Sequence, residues 1–245
     1  MSKIKSEVID TALLENIKNI YRKISYAAIR SGRNPFDVKL VAVTKTVGID
    51  KIKEAIDLGL RVFGENRVQE AQKKIADCRL QITDCKVEWH LVGHLQRNKA
   101  KTAVQLFDLI HSLGSIGLAE ELNKHAERDS KIQRVLVQVK VSEEETKHGV
   151  ARENLIDLIK AVSVMKNLKL EGLMTMPTFF DNPEMARPFF KELREIRDKA
   201  EESVSKAFGN KLPELSMGMT NDFEVAIEEG ATMVRIGTGI FGERR

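Results

Sequence analysis

The feature that most constrains this chain is an alternation. Between residues 39 and 236, short apolar segments and helix-period segments follow one another eight times. The apolar segments are Lys39–Lys45, Leu60–Gly64, Trp89–Gly93, Leu106–His111, Arg134–Val141, Leu168–Met174, Glu214–Met217 and Met233–Ile236. Helices are expected to start near Asp50, Asn66, Gln96 and Ser115. Leu155, Leu158, Ile159 and Val162 mark a fifth, and Met185, Phe189, Leu193, Ile196, Ala200 and Val204 a long sixth. Asn221 and Asp222 are expected to cap a short helix, with Glu224 three residues beyond Asn221 completing a capping box. Several of the strand segments are apolar on both faces, as parallel strands covered by helices are. Eight such units in 245 residues predict a single α/β domain, a closed (β/α)8 TIM barrel, rather than an open sheet.

Ahead of the first strand lies a long amphipathic pattern. Ile4, Val8, Leu13, Ile17, Ile20, Ile24 and Ala28 recur at helical spacing, and Ser31-Gly32 followed by Pro35 ends it. The eighth strand has almost no chain left for a helix of its own. The N-terminal helix (residues 1–31) is therefore expected to pack on the barrel and fill that gap. No Pro/Gly/Ser-rich linker and no low-complexity run divides the chain, so 1–245 is read as one domain.

Composition narrows the function. The net charge is +4, with acidic and basic residues interspersed and only 5% aromatics, which argues against a nucleic-acid surface. Residues 1–30 contain no unbroken apolar stretch of signal-peptide type, and no segment approaches a membrane span. Cys78 and Cys85 form neither a disulfide framework nor a C-x-x-C motif and read as thiols in a reducing compartment. A soluble, cytoplasmic protein is expected.

Active sites of such barrels lie at the C-terminal ends of the strands. Lys45 ends the first strand. Loss of hydration at a barrel mouth favours its neutral amine, the form that attacks an aldehyde, although a rim lysine with its ammonium in water is the blander reading. The loops after strands seven and eight carry Ser216, Gly218, Thr220 and Asn221, and Arg235, Gly237, Thr238 and Gly239. Glycines let backbone N–H groups approach an anion, and hydroxyls add donors. Arg235 sits inside an apolar run and needs an acceptor, either a carboxylate such as Glu171 or Glu224, or a ligand. Asn66, after the second strand, suits a ligand contact, a helix cap or both. His90 and His94 have the spacing of a metal pair, but Gly93 and the strand context argue against one, and no metal is expected. They are read as polar residues at the barrel mouth that orient a loop. His111, His125 and His148 look isolated.

Taken together, five segments carry a resemblance across nearly the whole chain. They are residues 41–45 (VAVTK), 64–70 (GENRVQE), 90–99 (HLVGHLQRNK), 215–222 (LSMGMTND) and 234–242 (VRIGTGIFG). The chain resembles the pyridoxal 5′-phosphate (PLP) homeostasis protein family, whose barrel is of the alanine racemase N-terminal-domain type. The resemblance implies PLP as cofactor, held as a Schiff base on Lys45. Ser216, the backbone near Gly218, Gly237 and Thr238 would hold the phosphate, with Arg235 near the pyridine nitrogen and Asn66 near the phenolic oxygen. Thr44 stands where the family often has Ser, Thr220 where Ser is usual and Gly239 where Ala is common; all three departures are conservative.

A cation beside the pyridine nitrogen disfavours ring protonation and weakens the cofactor as an electron sink, which is compatible with a carrier. The resemblance implies a protein that binds PLP, limits free reactive aldehyde, and influences PLP supply to other (client) enzymes or amino-acid balance. The alternative is a PLP-dependent amino-acid racemase. Such enzymes typically add a C-terminal β-domain that supplies a Tyr base. This chain ends soon after the eighth strand, and Tyr21 and Tyr26 lie in the N-terminal helix. A non-catalytic carrier, monomeric for want of a second domain, is the expectation.

Overall fold

The structure, a computed structural model, describes residues 10–81, 86–141, 148–209 and 211–243. Helix α1 spans Thr11–Arg30. There follow β1 (Lys39–Val43), α2 (Ile49–Asp57), β2 (Val62–Glu65), α3 (Val68–Gln81), β3 (Glu88–Leu91), α4 (Ala100–Leu106) and β4 (Leu109–Leu113). The second half comprises α5 (Ile116–Arg128), β5 (Gln133–Gln138), α6 (Arg152–Ser163), β6 (Leu168–Met174), α7 (Arg187–Phe208), β7 (Glu214–Ser216), α8 (Phe223–Glu228), β8 (Met233–Ile236) and α9 (Thr238–Phe241). The eight strands pair in sequence order, all parallel, and β8 closes on β1 through Leu40↔Val234 and Ala42↔Ile236. The chain is a closed (β/α)8 barrel. None of its described helices is long and apolar enough to cross a membrane.

Strand side chains alternate between two compartments, as the two-residue period of a strand requires. Leu40, Ala42, Val234 and Ile236 face the helices and join the large outer core. Val41, Val92, Leu109, Leu136, Met174 and Met233 form a small apolar cluster inside the barrel, with Val43, Val62 and Met176 packed against it. That inner set is too small to fill the barrel. The barrel also buries the polar residues His90, His111, Ser216 and Arg235.

Helix α1 closes the ring where the eighth unit is short. The Asp10 side chain accepts from the N–H groups of Ala12 and Leu13, which starts the helix. Its buried stripe of Leu13, Ile17, Ile20, Ile24, Ala27 and Ala28 packs on α8 and on the four-residue α9. Asn16 donates to the Ile240 carbonyl at 3.0 Å, and Lys23 pairs with Glu224 at 3.1 Å. Ile4 and Val8 of the amphipathic pattern lie outside the described residues, as does Cys85; Cys78 is buried.

Several boundaries move. The first strand ends at Val43, because Thr44–Thr46 form a turn. The fourth begins at Leu109 because Leu106 closes α4, and the Asp108 carboxylate accepts from the Trp89 N–H at 2.8 Å. Met185 does not belong to the inner face of α7: it lies in a 3-10 turn after Pro183 and is 56% exposed. The capping box before α8 does not form. Asp222 accepts instead from Met219 N–H at 2.6 Å, Asn221 donates to the Phe180 carbonyl, and Glu224 turns to Lys23.

Truncation of Ile20 tests the seam. Its Cδ1 would lie 3.3 Å from a Cβ added at Gly239, so it supports the loop after β8 directly. Ile20→Ala is expected to cost about 2–4 kcal/mol, measured by urea denaturation.

Candidate functional site

Lys45 continues the inward series Val41, Val43 at the C-terminal end of β1. It is half-buried and lines a hollow of about 250 Å³ together with Gly237, Thr238, Lys51 and Phe241. Thr46, next to it, adopts φ 65°, an uncommon conformation for a β-branched residue. The turn is held from behind. Thr46 N–H donates to Glu70 Oε1 at 2.6 Å, and Lys74 Nζ donates to the Thr44 carbonyl at 2.6 Å. Lys74 also bonds Glu65 Oε1 at 2.6 Å and Glu70 Oε1 at 3.1 Å, while Thr44 Oγ1 donates to Glu65 Oε1 at 2.6 Å. Burial pushes the Glu65 carboxyl up, against the lowering influence of Lys74 and Thr44. A buried ion pair thus clamps the turn that presents Lys45. These clamp residues were not anticipated. Glu65 and Lys74 are nine residues apart across the β2–α3 junction, a spacing that carries no periodic signal.

The loops after β7 and β8 meet above the barrel. Thr238 and Thr220 hydroxyls are 3.2 Å apart, and Gly239 N–H donates to Thr220 Oγ1 at 3.4 Å. Gly218 has φ 90°, and a Cβ there would stand 2.6 Å from Ala226 Cβ and 2.9 Å from Phe223 Cα. Its glycine is therefore required by close packing on α8. Its carbonyl accepts from Arg235 N–H at 3.0 Å. A Cβ at Gly237 would lie 3.3 Å from the Val43 carbonyl oxygen, so this loop also hugs the end of β1. The hollow beside Lys45 thus brings a lysine amine and a threonine hydroxyl to a glycine-bearing wall, a set that suits a phosphorylated aldehyde.

Asn66 faces a neighbouring hollow with Arg67, Gly93, His94 and Lys99. A side chain at Gly93 would collide with the Asn66 backbone, so Gly93 is what lets the β2 and β3 loops close together. The structure therefore gathers Lys45, Gly237 and Thr238 around one hollow and sets Asn66 beside another.

Arg235 lies beneath, pointing inward from β8 and only 3% exposed. Neither proposed carboxylate reaches it: Glu171 is taken by Arg134 and Lys169, and Glu224 by Lys23. Its guanidinium donates instead to Ser216 Oγ at 2.6 Å and to the Thr175 carbonyl at 2.8 Å. Burial pushes its pKa down to about 10, opposed by the charge of Asp222. Ser216, expected at the phosphate, has its hydroxyl engaged inside the barrel with Arg235 on one side and His111 Nδ1 at 2.9 Å on the other.

The histidines differ most from expectation. His111 is not isolated: it is fully buried at the barrel centre, and its Nε2 lies 3.0 Å from His90 Nδ1. His90 is likewise inside the barrel rather than at its mouth, with Nε2 3.3 Å from Glu88 Oε2. Arg134 donates to the same Glu88 oxygen at 3.3 Å. The hydrogen bond from His90, with help from Arg134, holds the Glu88 carboxyl at about 2 despite partial burial. Burial, aided for His111 by the neighbouring cations, depresses both imidazoles. His94 does lie at the mouth, stacked on His148 with centroids 3.7 Å apart, and His125 faces Glu121 on α5 at 3.5 Å. No group of three or more metal-ligating side chains occurs among the described residues.

The sequence matches the alanine racemase N-terminal domain family over residues 14–245. Closed parallel barrel and family match together define the class: an alanine-racemase-type barrel. The chain is 46% identical over 231 residues to the pyridoxal phosphate homeostasis protein of Aquifex aeolicus, covering 94% of this chain and 98% of that protein. It superposes on PipY of Synechococcus elongatus, solved with PLP bound, with a TM-score of 0.81 and 33% identity over 94% of this chain and all of that one. The chain belongs to the pyridoxal phosphate homeostasis protein family. An alanine racemase from Clostridium difficile shares the fold at a TM-score of 0.69 and 14% identity; the match covers 94% of this chain and 57% of the enzyme.

Two predictions follow from these buried charges. Lys74→Met leaves Glu65 buried without its partner and is expected to cost about 3–5 kcal/mol at neutral pH. Its Glu65 pKa rises further above the unfolded value, so stability is retained in mild acid and lost as pH rises; pH-dependent urea titrations check the sign. The depressed histidines act oppositely. Their stabilisation is present above the unfolded value of about 6.5 and is lost as pH falls below it, so the melting temperature of the native protein should drop in mild acid.

Proposed function

We propose that the chain binds PLP covalently on Lys45, as a Schiff base, and serves as a non-catalytic carrier in PLP homeostasis. The observation that carries this reading is that Lys45 shares one hollow with Gly237 and Thr238, with Arg235 buried on the strand that leads into that loop. When bound, the cofactor supplies an aldehyde for the lysine and a phosphate for the loops. The backbone near Gly218, together with Gly237 and Thr238, holds the phosphate. Arg235 approaches the pyridine nitrogen, and Asn66 closes the phenolic side. Ser216 acts through Arg235, because its hydroxyl is already engaged there.

A donor-only cation at the pyridine nitrogen keeps the ring unprotonated and makes the cofactor a poorer electron sink, which is compatible with a carrier and does not exclude catalysis. Tyr21 and Tyr26, the two tyrosines, sit 44% and 62% exposed on α1, on the outside of the barrel. Neither is placed to serve as a racemase base. We further propose that residues 1–245 act as one domain, as a monomer in the cytoplasm, that influences PLP supply to other enzymes.

Borohydride reduction of the PLP-loaded protein, followed by peptide mass analysis, should place the adduct on the Lys45 peptide. Lys45→Ala should abolish it with the circular dichroism spectrum unchanged. An adduct on a different lysine in the native protein overturns the assignment. Measurable amino-acid racemisation by the loaded protein, lost in Lys45→Ala, would replace the carrier by the enzyme.

A further inference from the structure

A continuous hydrogen-bonded chain runs through the barrel: Glu88, His90, His111, Ser216, Arg235. Its two ends differ in kind. Arg235 has only donors, whereas an ionised carboxylate only accepts. Between them stand two imidazoles and a hydroxyl, each able to give one proton and take one. Arg235 occupies one lone pair of Ser216 and leaves its proton free to point to His111 Nδ1, the sense that the Glu88 end requires. His111 Nδ1 is then an acceptor, and its Nε2–H donates to His90 Nδ1. His90 Nε2–H in turn donates to Glu88. The opposite sense sets an unprotonated His90 Nε2 against the carboxylate, two acceptors face to face, or else needs an imidazolium. The neutral chain therefore has one sense only.

The groups around it oppose an extra proton. Lys39, Arg134 and Arg235 all bear on His111, and Lys39 and Arg134 on His90, against Glu88 acting on His90, while Glu171 pairs with Arg134 and Asp222 acts on Arg235. Each member is buried except Glu88, whose side chain is 32% exposed at the far end of the strands. Nothing in the apolar inner cluster demands five polar residues in line.

We propose that Glu88, His90, His111 and Ser216 are positioning residues for Arg235: a one-way relay that offers the guanidinium a lone pair from below and leaves its remaining donors directed at the cofactor. The cofactor half of this inference rests on the function proposed above; the relay itself does not. The relay and the Thr175 carbonyl together fix the orientation of the Arg235 guanidinium.

The experiment has two readouts. In cofactor-free protein labelled with 15N-histidine, only five histidines contribute. His90 and His111 are expected to give the Nε2–H tautomer pattern, unmoved by pH across the range where free histidine titrates. An Nδ1–H pattern at either residue, or ordinary titration, overturns the relay whether or not PLP binds. In PLP-loaded protein, His111→Leu frees Ser216 to turn away from Arg235; it should weaken PLP retention about tenfold, the loss expected when the Ser216–Arg235 bond to a charged group goes, and should shift the pH midpoint of the visible absorbance. His111→Gln, which can still accept and donate, should stay within about twofold. Ser216→Ala, a smaller change, should reproduce the His111→Leu shift, and it carries the test should the leucine variant fail to fold. Unchanged retention and midpoint in Ser216→Ala, with the adduct still on Lys45, would show the relay to be structural only and overturn the positioning role.

Discussion

A full charge sealed inside the barrel is the constraint around which the rest is arranged. Arg235 is 3% exposed, and a guanidinium taken from water must be met by acceptors or be expelled. The chain meets it with a hydroxyl, a backbone carbonyl and the more distant charge of Asp222. Each acceptor is itself fixed: Thr175 by the end of β6, Ser216 by β7, Asp222 by its bond to the Met219 N–H. The interior of the barrel is accordingly polar along one line and apolar elsewhere. It divides into a small aliphatic cluster and a hydrogen-bonded file that do not mix.

The upper rim is built on a second buried charge. Lys74 reaches from α3 to the carbonyl of Thr44 and to two carboxylates, and so ties the β1 turn to the β2–α3 unit. Breaking one partner of such a pair costs far more than the pair contributes. The position of Lys45 is thus fixed by a residue that never faces the hollow. The same division of labour appears at Gly93 and Gly218, where absent side chains let neighbouring loops approach.

Much of this could be read from residue order. The alternation of strands and helices located all eight barrel strands, because each buries two faces and its helix one. The glycine-bearing loops after β7 and β8 were visible for the same reason that they matter: glycine at a strand end is conspicuous. The stripe of α1 announced a partner. The histidines escaped because strand periodicity reports which face is buried but not whether a buried polar residue finds another across the barrel. His90 and His111 lie twenty-one residues apart, and His111 and Ser216 one hundred and five. The acceptors of Arg235 were misjudged for a related reason. A search for carboxylates overlooks a backbone carbonyl, which every residue carries. Met185 was assigned to a helix face because its spacing fits, but Pro183 begins a tighter turn there, and the period slips.

The covering of the last unit by the first helix has a consequence for how the chain is made. Asn16 bonds the Ile240 carbonyl across 224 residues, and Arg33 bonds the carbonyls of Ile227 and Ala231 across nearly as many. On the ribosome, α1 emerges first but has no seat until the final strand is out. Its apolar stripe must wait, exposed or transiently buried elsewhere, while the intervening units assemble from largely local contacts. Closure of the ring at this seam is therefore a long-range event that follows the local assembly of the intervening units.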